Sequence, residues 1–144
     1  EGAYDYDAVI SVQWPFGYGL SYTTFSYDNF RTSATDFKAG DNITLSVDVT
    51  NTGTVAGKEV VMLFSRDMVA SLTPENRRLR AFQKIELKPG ETRTVSFNLK
   101  GSDLAFVGAD GKWVLEKGAF RMQAGDKTLN LECTETYKWN TQNR

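Results

Sequence analysis

Three kinds of side chain in this sequence could carry chemistry: the indoles of Trp14, Trp113 and Trp139, a scatter of carboxylates, and the short basic run Arg77, Arg78 and Arg80. An indole face complements the C–H face of a pyranose, so a flat surface row of tryptophans would hold a glycan chain. Trp14 lies in an aromatic-rich segment, Trp113 stands beside Val114 and Leu115 in what reads as a core strand, and Trp139 falls in a polar stretch near the end. Core or interface packing, with the indole N–H hydrogen-bonded, is the expected use of the first two. The carboxylates of Asp67, Glu75, Asp103, Asp110 and Asp126 fall mostly in expected loops, where turn formation alone explains several of them. Asp103 and Asp110 could join backbone carbonyls around a hard cation, but no spaced D-x-D-x-D loop accompanies them, and no metal site is assigned. The arginines close the longest loop, Val69 to Arg78, which also holds Pro74 and Glu75. A solvated loop is the plain expectation. The sharper one is a contact to a neighbouring domain or an acidic sugar, with Pro74, Arg77 and Arg78 at the mouth of a substrate site.

What is missing narrows the chemistry further. There is no histidine, which removes the usual general base, the Ser-His and Cys-His dyads and the commonest metal ligand. The lone Cys133 can form neither an internal disulfide nor a cysteine metal site, so an apolar core must hold the chain together. Seventeen Lys and Arg against eighteen Asp and Glu give a net charge of -1, with no overall basic field for nucleic acid or an anionic bilayer. Neither a nucleic-acid nor a membrane partner is expected, and no cofactor is. No run approaches the roughly 18 consecutive apolar residues of a membrane span. The chain opens on Glu1, and Glu1 to Ile10 lacks the basic start and apolar middle of a secretion signal, so a processed or excised piece is expected. Asn42-Ile43-Thr44 matches a glycosylation sequon, although Asn42 after Gly40-Asp41 is equally a turn residue.

The elements that must position these groups read as strands. Ile43, Leu45, Val47 and Val49 alternate with polar residues, the pattern of a half-buried strand. Gly57 to Arg66 is apolar on both phases and reads as a strand covered on both faces. In Leu79 to Leu87, Leu79, Ala81, Ile85 and Leu87 are in phase and Phe82 is not, which predicts a bulge or a second contact surface. Lys88-Pro89-Gly90-Glu91 turns the chain into the alternation Val95, Phe97, Leu99, and an antiparallel hairpin is the economical reading. Ser102 is placed to cap one helical turn, Asp110-Gly111 turns into Lys112 to Glu116, and Gly125-Asp126 joins a final hairpin of Phe120 to Ala124 and Leu129 to Cys133. Seven or eight short strands punctuated by turns predict an all-β, immunoglobulin-like antiparallel β-sandwich over residues 25–133. An extended leader, 1–24, precedes it and a polar tail, 134–144, follows.

In the leader, Trp14, Phe16, Tyr18, Leu20 and Tyr22 alternate with Pro15, Gly17, Gly19 and Ser21, so one side is nearly all large and apolar. Five of the 18 aromatic residues fall within positions 14 to 25. In extended form such a ribbon exposes a large patch unless something covers it. Two readings stand: a ribbon that docks on a neighbouring domain, or aromatics that fold back on this chain's own sandwich.

The run Pro15-Phe16-Gly17-Tyr18-Gly19-Leu20-Ser21-Tyr22-Thr23-Thr24-Phe25 resembles a junction of glycoside hydrolase family 3 enzymes, the β-glucosidase and β-xylosidase group. Val49-Thr50-Asn51-Thr52-Gly53 with Ala56-Gly57-Lys58-Glu59-Val60-Val61 resembles that family's VTNTG…AGKEVV strands, and Leu87-Lys88-Pro89-Gly90-Glu91 its LxPGE turn. Leu104-Ala105-Phe106, Trp113 and Gly118-Ala119-Phe120 continue in register. Met62 departs where the family commonly has Gln, and Phe64-Ser65-Arg66 where an aromatic-Val-Ser run is usual. The resemblance implies a fibronectin type III-like sandwich at the end of a longer enzyme, after a barrel and an α/β domain. It also implies a retaining mechanism, with an Asp nucleophile in the barrel and an acid/base carboxylate from the second domain. Neither motif occurs in this sequence, and such hydrolysis needs two carboxyl groups about 5 to 5.5 Å apart. No catalytic residue is therefore assigned. The expected role is a non-catalytic accessory domain of a secreted or periplasmic parent. It would stabilise that enzyme by docking Trp14, Phe16, Tyr18, Leu20 and Tyr22 on the α/β domain. Its partners are then the preceding α/β and barrel domains of the same polypeptide. The alternatives are a carbohydrate-binding module, with glycans as partners, and an adhesion or assembly domain using an exposed strand edge.

Overall fold

The computed structural model describes residues 23–68 and 77–140. The leader positions up to Tyr22, and Pro74 in the long loop, lie outside the described residues. The strands are β1 (Phe25–Thr32), β2 (Asp36–Phe37), β3 (Asn42–Asn51), β4 (Gly57–Asp67), β5 (Arg78–Leu87) and β6 (Thr92–Lys100). A 3₁₀ turn at Gly101–Leu104 leads into β7 (Phe106–Val107), β8 (Trp113–Leu115), β9 (Gly118–Ala124), β10 (Lys127–Cys133) and β11 (Tyr137–Lys138). One sheet has the order β1-β3-β6, a second β2-β10-β9-β4-β5, and a small third β11-β8-β7. Every pairing is antiparallel except β2 with β10, which is parallel. The architecture is the expected all-β sandwich.

The core lies between the two larger sheets and follows the alternation of the sequence. Leu45, Val47 and Val49 of β3 are fully buried and Ile43 is 1% exposed, against Val95 and Phe97 of β6 in the same sheet. The facing sheet supplies Val61, Leu63, Phe120, Met122 and Leu131. Phe37 meets Phe120 edge-on with ring centroids 5.7 Å apart. Each such buried side chain contributes about 1.5–3 kcal/mol of transfer free energy, which lets the chain dispense with a disulfide.

Four local expectations are corrected. The alternations on either side of Pro89-Gly90 do not form a hairpin: β5 pairs with β4 and β6 with β3, so the turn carries the chain from one sheet to the other. Gly90 N–H and Asn51 C=O (2.8 Å), with Asn51 N–H and Glu91 C=O (3.0 Å), fasten that turn to the end of β3. Second, β4 is not covered equally on both faces. Val61 and Leu63 enter the core, whereas Val60, Met62 and Phe64 form a separate small cluster on the outer face. Third, Ser102 does not cap the short helical turn. Asp103 does so, its carboxylate accepting from the Lys100 N–H at 2.9 Å. Fourth, the segment read as a polar tail contributes β11, and its Trp139 packs against the core.

The expected bulge is present. The β4–β5 register slips between Leu63 and Phe64, so that Leu63 opposes Ala81 while Phe64 opposes Leu79. The skipped residue, Arg80, points inward and donates to Ser65 Oγ (2.7 Å) and to the Asp103 carbonyl (2.9 Å), tying β4 to the 3₁₀ turn. Leu79 is thereby moved to the outer face with Phe82, the two being 48% and 55% exposed.

Candidate functional site

Two features of the described residues stand out as candidate contact regions. The first is the point at which the leader joins. Thr23 Oγ1 donates to Asn51 Oδ1 at 2.7 Å, and the Gly53 N–H donates to the same oxygen at 2.9 Å. The Asn51 amide group donates in turn to the Val55 carbonyl (2.9 Å) and the Leu87 carbonyl (3.0 Å). Asn51 is fully buried, and its polar side chain is tolerated there because both ends are hydrogen-bonded. One amide thus joins the leader's last residues, the end of β3, the loop after it and the end of β5. Gly53 and Gly57 make this possible, since a Cβ at either would run into the Thr23 side chain. Reading the sequence as turns missed this role of Asn51. The available signal was a lone Asn two residues before a Gly in Val49-Thr50-Asn51-Thr52-Gly53.

The second feature is the outer face of the five-stranded sheet. Met62 opposes Phe82 and Phe64 opposes Leu79 across β4 and β5, with Val60 beside them, which makes an apolar strip along the β5 edge. The strip is flanked by Arg77, whose guanidinium lies 4.6 Å from the Phe64 ring centroid and donates to Gln123 Oε1 at 3.3 Å. Arg78 opens β5 opposite Ser65 and is exposed. The two arginines expected at a substrate mouth are thus placed differently: one is stacked on the sheet, the other extends from its end. Trp113 and Trp139 are both partly buried against the core, while Trp14 lies outside the described residues.

The electrostatics are those of structural carboxylates. Asp48 is held below the usual range chiefly by the Thr94 hydroxyl (2.7 Å), with Asn29 and Arg31 adding to it. Glu91 is lowered first by the Lys88 N–H, and Asp110 first by the Lys112 N–H and then by Lys138 at 3.3 Å. Burial pushes the Cys133 thiol up, and its Sγ sits 3.3 Å from the Glu135 carbonyl. A protonated buried thiol is a poor nucleophile. Among the described residues no three of His, Cys, Asp and Glu are grouped to hold a metal ion.

Residues 59–128 match a family model described as a fibronectin type III-like domain. The chain is 46% identical over 112 residues to a β-xylosidase of Formosa agariphila, an alignment covering 78% of this chain and 16% of that protein. It is 38% identical over 138 residues to a lysosomal β-glucosidase of Dictyostelium discoideum, covering 89% of this chain and 17% of that protein. Among solved structures, a β-glucosidase from Erythrobacter marinus superposes with a TM-score of 0.74 at 36% identity, covering 84% of this chain and 17% of that one. The chain therefore spans about a sixth of the length of these relatives.

Proposed function

This chain belongs to the fibronectin type III-like domains of glycoside hydrolase family 3 enzymes, and on that footing we propose that it is a non-catalytic accessory domain that stabilises a longer hydrolase by docking on its α/β domain. The parent would hydrolyse β-glucosides or β-xylosides by a retaining mechanism, with both catalytic carboxylates supplied from outside these 144 residues. A secreted, periplasmic or lysosomal setting suits that parent, one relative being named lysosomal.

The observation that carries the reading is the apolar strip Met62, Phe64, Leu79 and Phe82, left on the outer face of a sandwich whose own core is already closed. Exposed apolar surface rimmed by cations is what an intramolecular neighbour would cover, at about 25 cal/mol per Å². The ribbon Trp14, Phe16, Tyr18, Leu20 and Tyr22 would lie across the same boundary, anchored at its end by the Thr23–Asn51 bond. Replacing Trp14 and Phe16 with Ala, or Met62 and Phe82 with Ser, is expected to lower the Tm of the complete enzyme by several degrees. The isolated 144-residue chain should lose clearly less than the complete enzyme with either pair, Met62 being only partly buried. Unchanged stability and activity of the complete enzyme in both would sink the docking role.

A further inference from the structure

We infer that the cleft between the Lys38–Asp41 turn and β11 is a binding site for a neutral oligosaccharide, a role independent of the docking proposed above. The cleft has a volume of about 590 Å³, within the roughly 300–1,000 Å³ of small-ligand sites. Three segments meet there: the turn Lys38–Asp41, the start of the 3₁₀ turn with Lys100 and Ser102, and the stretch Glu135 to Trp139.

The walls are aromatic on one side and polar on the other. Tyr137 and Trp139 stand edge to face, with centroids 4.6 Å apart and ring planes 83° from one another, so the pair presents two apolar surfaces at a right angle. Tyr137 is 47% exposed, more than a ring used only for packing would be. A pyranose offers the matching chemistry, with axial C–H groups on its flat face and hydroxyls around its rim. The rim would meet Lys38 and Lys100 as donors and Asp41 and Glu135 as acceptors. Two cations and two carboxylates give the cleft no net charge. That balance gives an anionic sugar such as a uronic acid or a sulfated chain no net attraction to offset its desolvation, which leaves a neutral sugar as the better match.

The site is held in place before any ligand arrives. The Lys38–Asp41 turn is fastened to the 3₁₀ turn by Gly101 N–H to the Asp41 carbonyl (2.8 Å) and Ser102 N–H to the Ala39 carbonyl (2.9 Å). Asp41 closes the turn on itself by accepting the Lys38 N–H at 2.9 Å. On the aromatic side, β11 pairs with β8, and the Trp139 N–H donates to the Trp113 carbonyl at 3.1 Å. A Cβ at position 101 would meet the Lys38 carbonyl, so the close approach of the two turns requires glycine.

The test is calorimetric titration of the 144-residue chain with soluble β-glucan, xylan and polygalacturonate. Saturable binding of at least one neutral glycan is expected, weakened about tenfold or more by Tyr137→Ala, with Lys100→Ala giving a smaller loss. Tyr137 is exposed enough for its truncation to leave the fold intact, which a thermal melt of the variant verifies. No binding of either neutral glycan overturns the proposal. Unaltered affinity in Tyr137→Ala overturns this location, and tighter binding of polygalacturonate overturns the neutral-sugar assignment.

Discussion

Replacing Asn51 with Ala tests the claim that one buried amide fastens the leader to the sandwich. The substitution removes four side-chain hydrogen bonds, involving Thr23, Gly53, Val55 and Leu87. Only the bond to the Leu87 carbonyl is buried, and stranding that acceptor costs about 1–3 kcal/mol. The other three are part-buried, and water can replace the amide at least at Val55, which is 42% exposed. Their loss is discounted to the lower part of the usual range of about 0.5–1.5 kcal/mol each. The expected destabilisation is therefore about 3 kcal/mol, or about 10 °C in Tm for a domain of this size. Urea unfolding and a thermal melt measure it. Thr23→Val removes a single part-buried bond and is expected to cost about 0.5 kcal/mol in the natural sequence but almost nothing in the Asn51→Ala background, because the two residues share the contact. A loss below about 1 kcal/mol for Asn51→Ala, or full additivity of the two changes, would refute the reasoning.

Two further predictions join those attached to the docking strip and the aromatic cleft. The folded-state pKa values of Asp48, Glu91 and Asp110 are lowered, so their stabilisation is complete above the unfolded carboxylate pKa of about 4 and is lost as the pH falls through the folded values. Tm should then stay level from about pH 8 to 5 and decline below about pH 4, with the decline reduced in Asp48→Asn; a Tm that rises on acidification would contradict this. Gly101→Ala forces the new methyl against the Lys38 carbonyl and should cost about 1–3 kcal/mol while also weakening any glycan bound in the cleft. An unchanged melting curve would show that the Lys38–Asp41 turn yields freely.

Where one strand's own alternation decides its burial, the sequence was legible. Ile43 to Val49, Val95 to Leu99 and the hairpin through Gly125-Asp126 lie where period two puts them. Pairing was a different matter, because alternation states which side of a strand is apolar and not which strand lies beside it. The Pro89-Gly90 turn looks the same whether the chain returns in its own sheet or crosses to the facing one, and the deciding contacts come from Asn51, distant in sequence. The tail misled for a related reason: Trp139 is surrounded by polar residues, and the pairing of β11 with β8 gives it a place to pack. The resemblance to family 3 enzymes identified the domain but could not locate a functional surface, since the quoted motifs that fall within the described residues largely build the core and the turns.

The bulge at Arg80 helps decide which part of the sheet is available to a neighbour. β5 is the edge of the five-stranded sheet, and a flat edge of ten residues would invite another strand to add on. Arg80 interrupts that edge by turning inward to Ser65 and Asp103, and Gln83 further along reaches the Ser96 carbonyl at 2.6 Å. The opposite edge, β2, is only two residues long. Both edges of this sheet are thus poor templates for strand addition. The same bulge has the reverse effect on the face, since by shifting the register it brings Leu79 round to Phe64 and lengthens the apolar strip that begins with Met62 and Phe82. One inserted residue therefore blunts the edge and extends the face, which favours a partner that packs flat against side chains, as a covalently attached domain would.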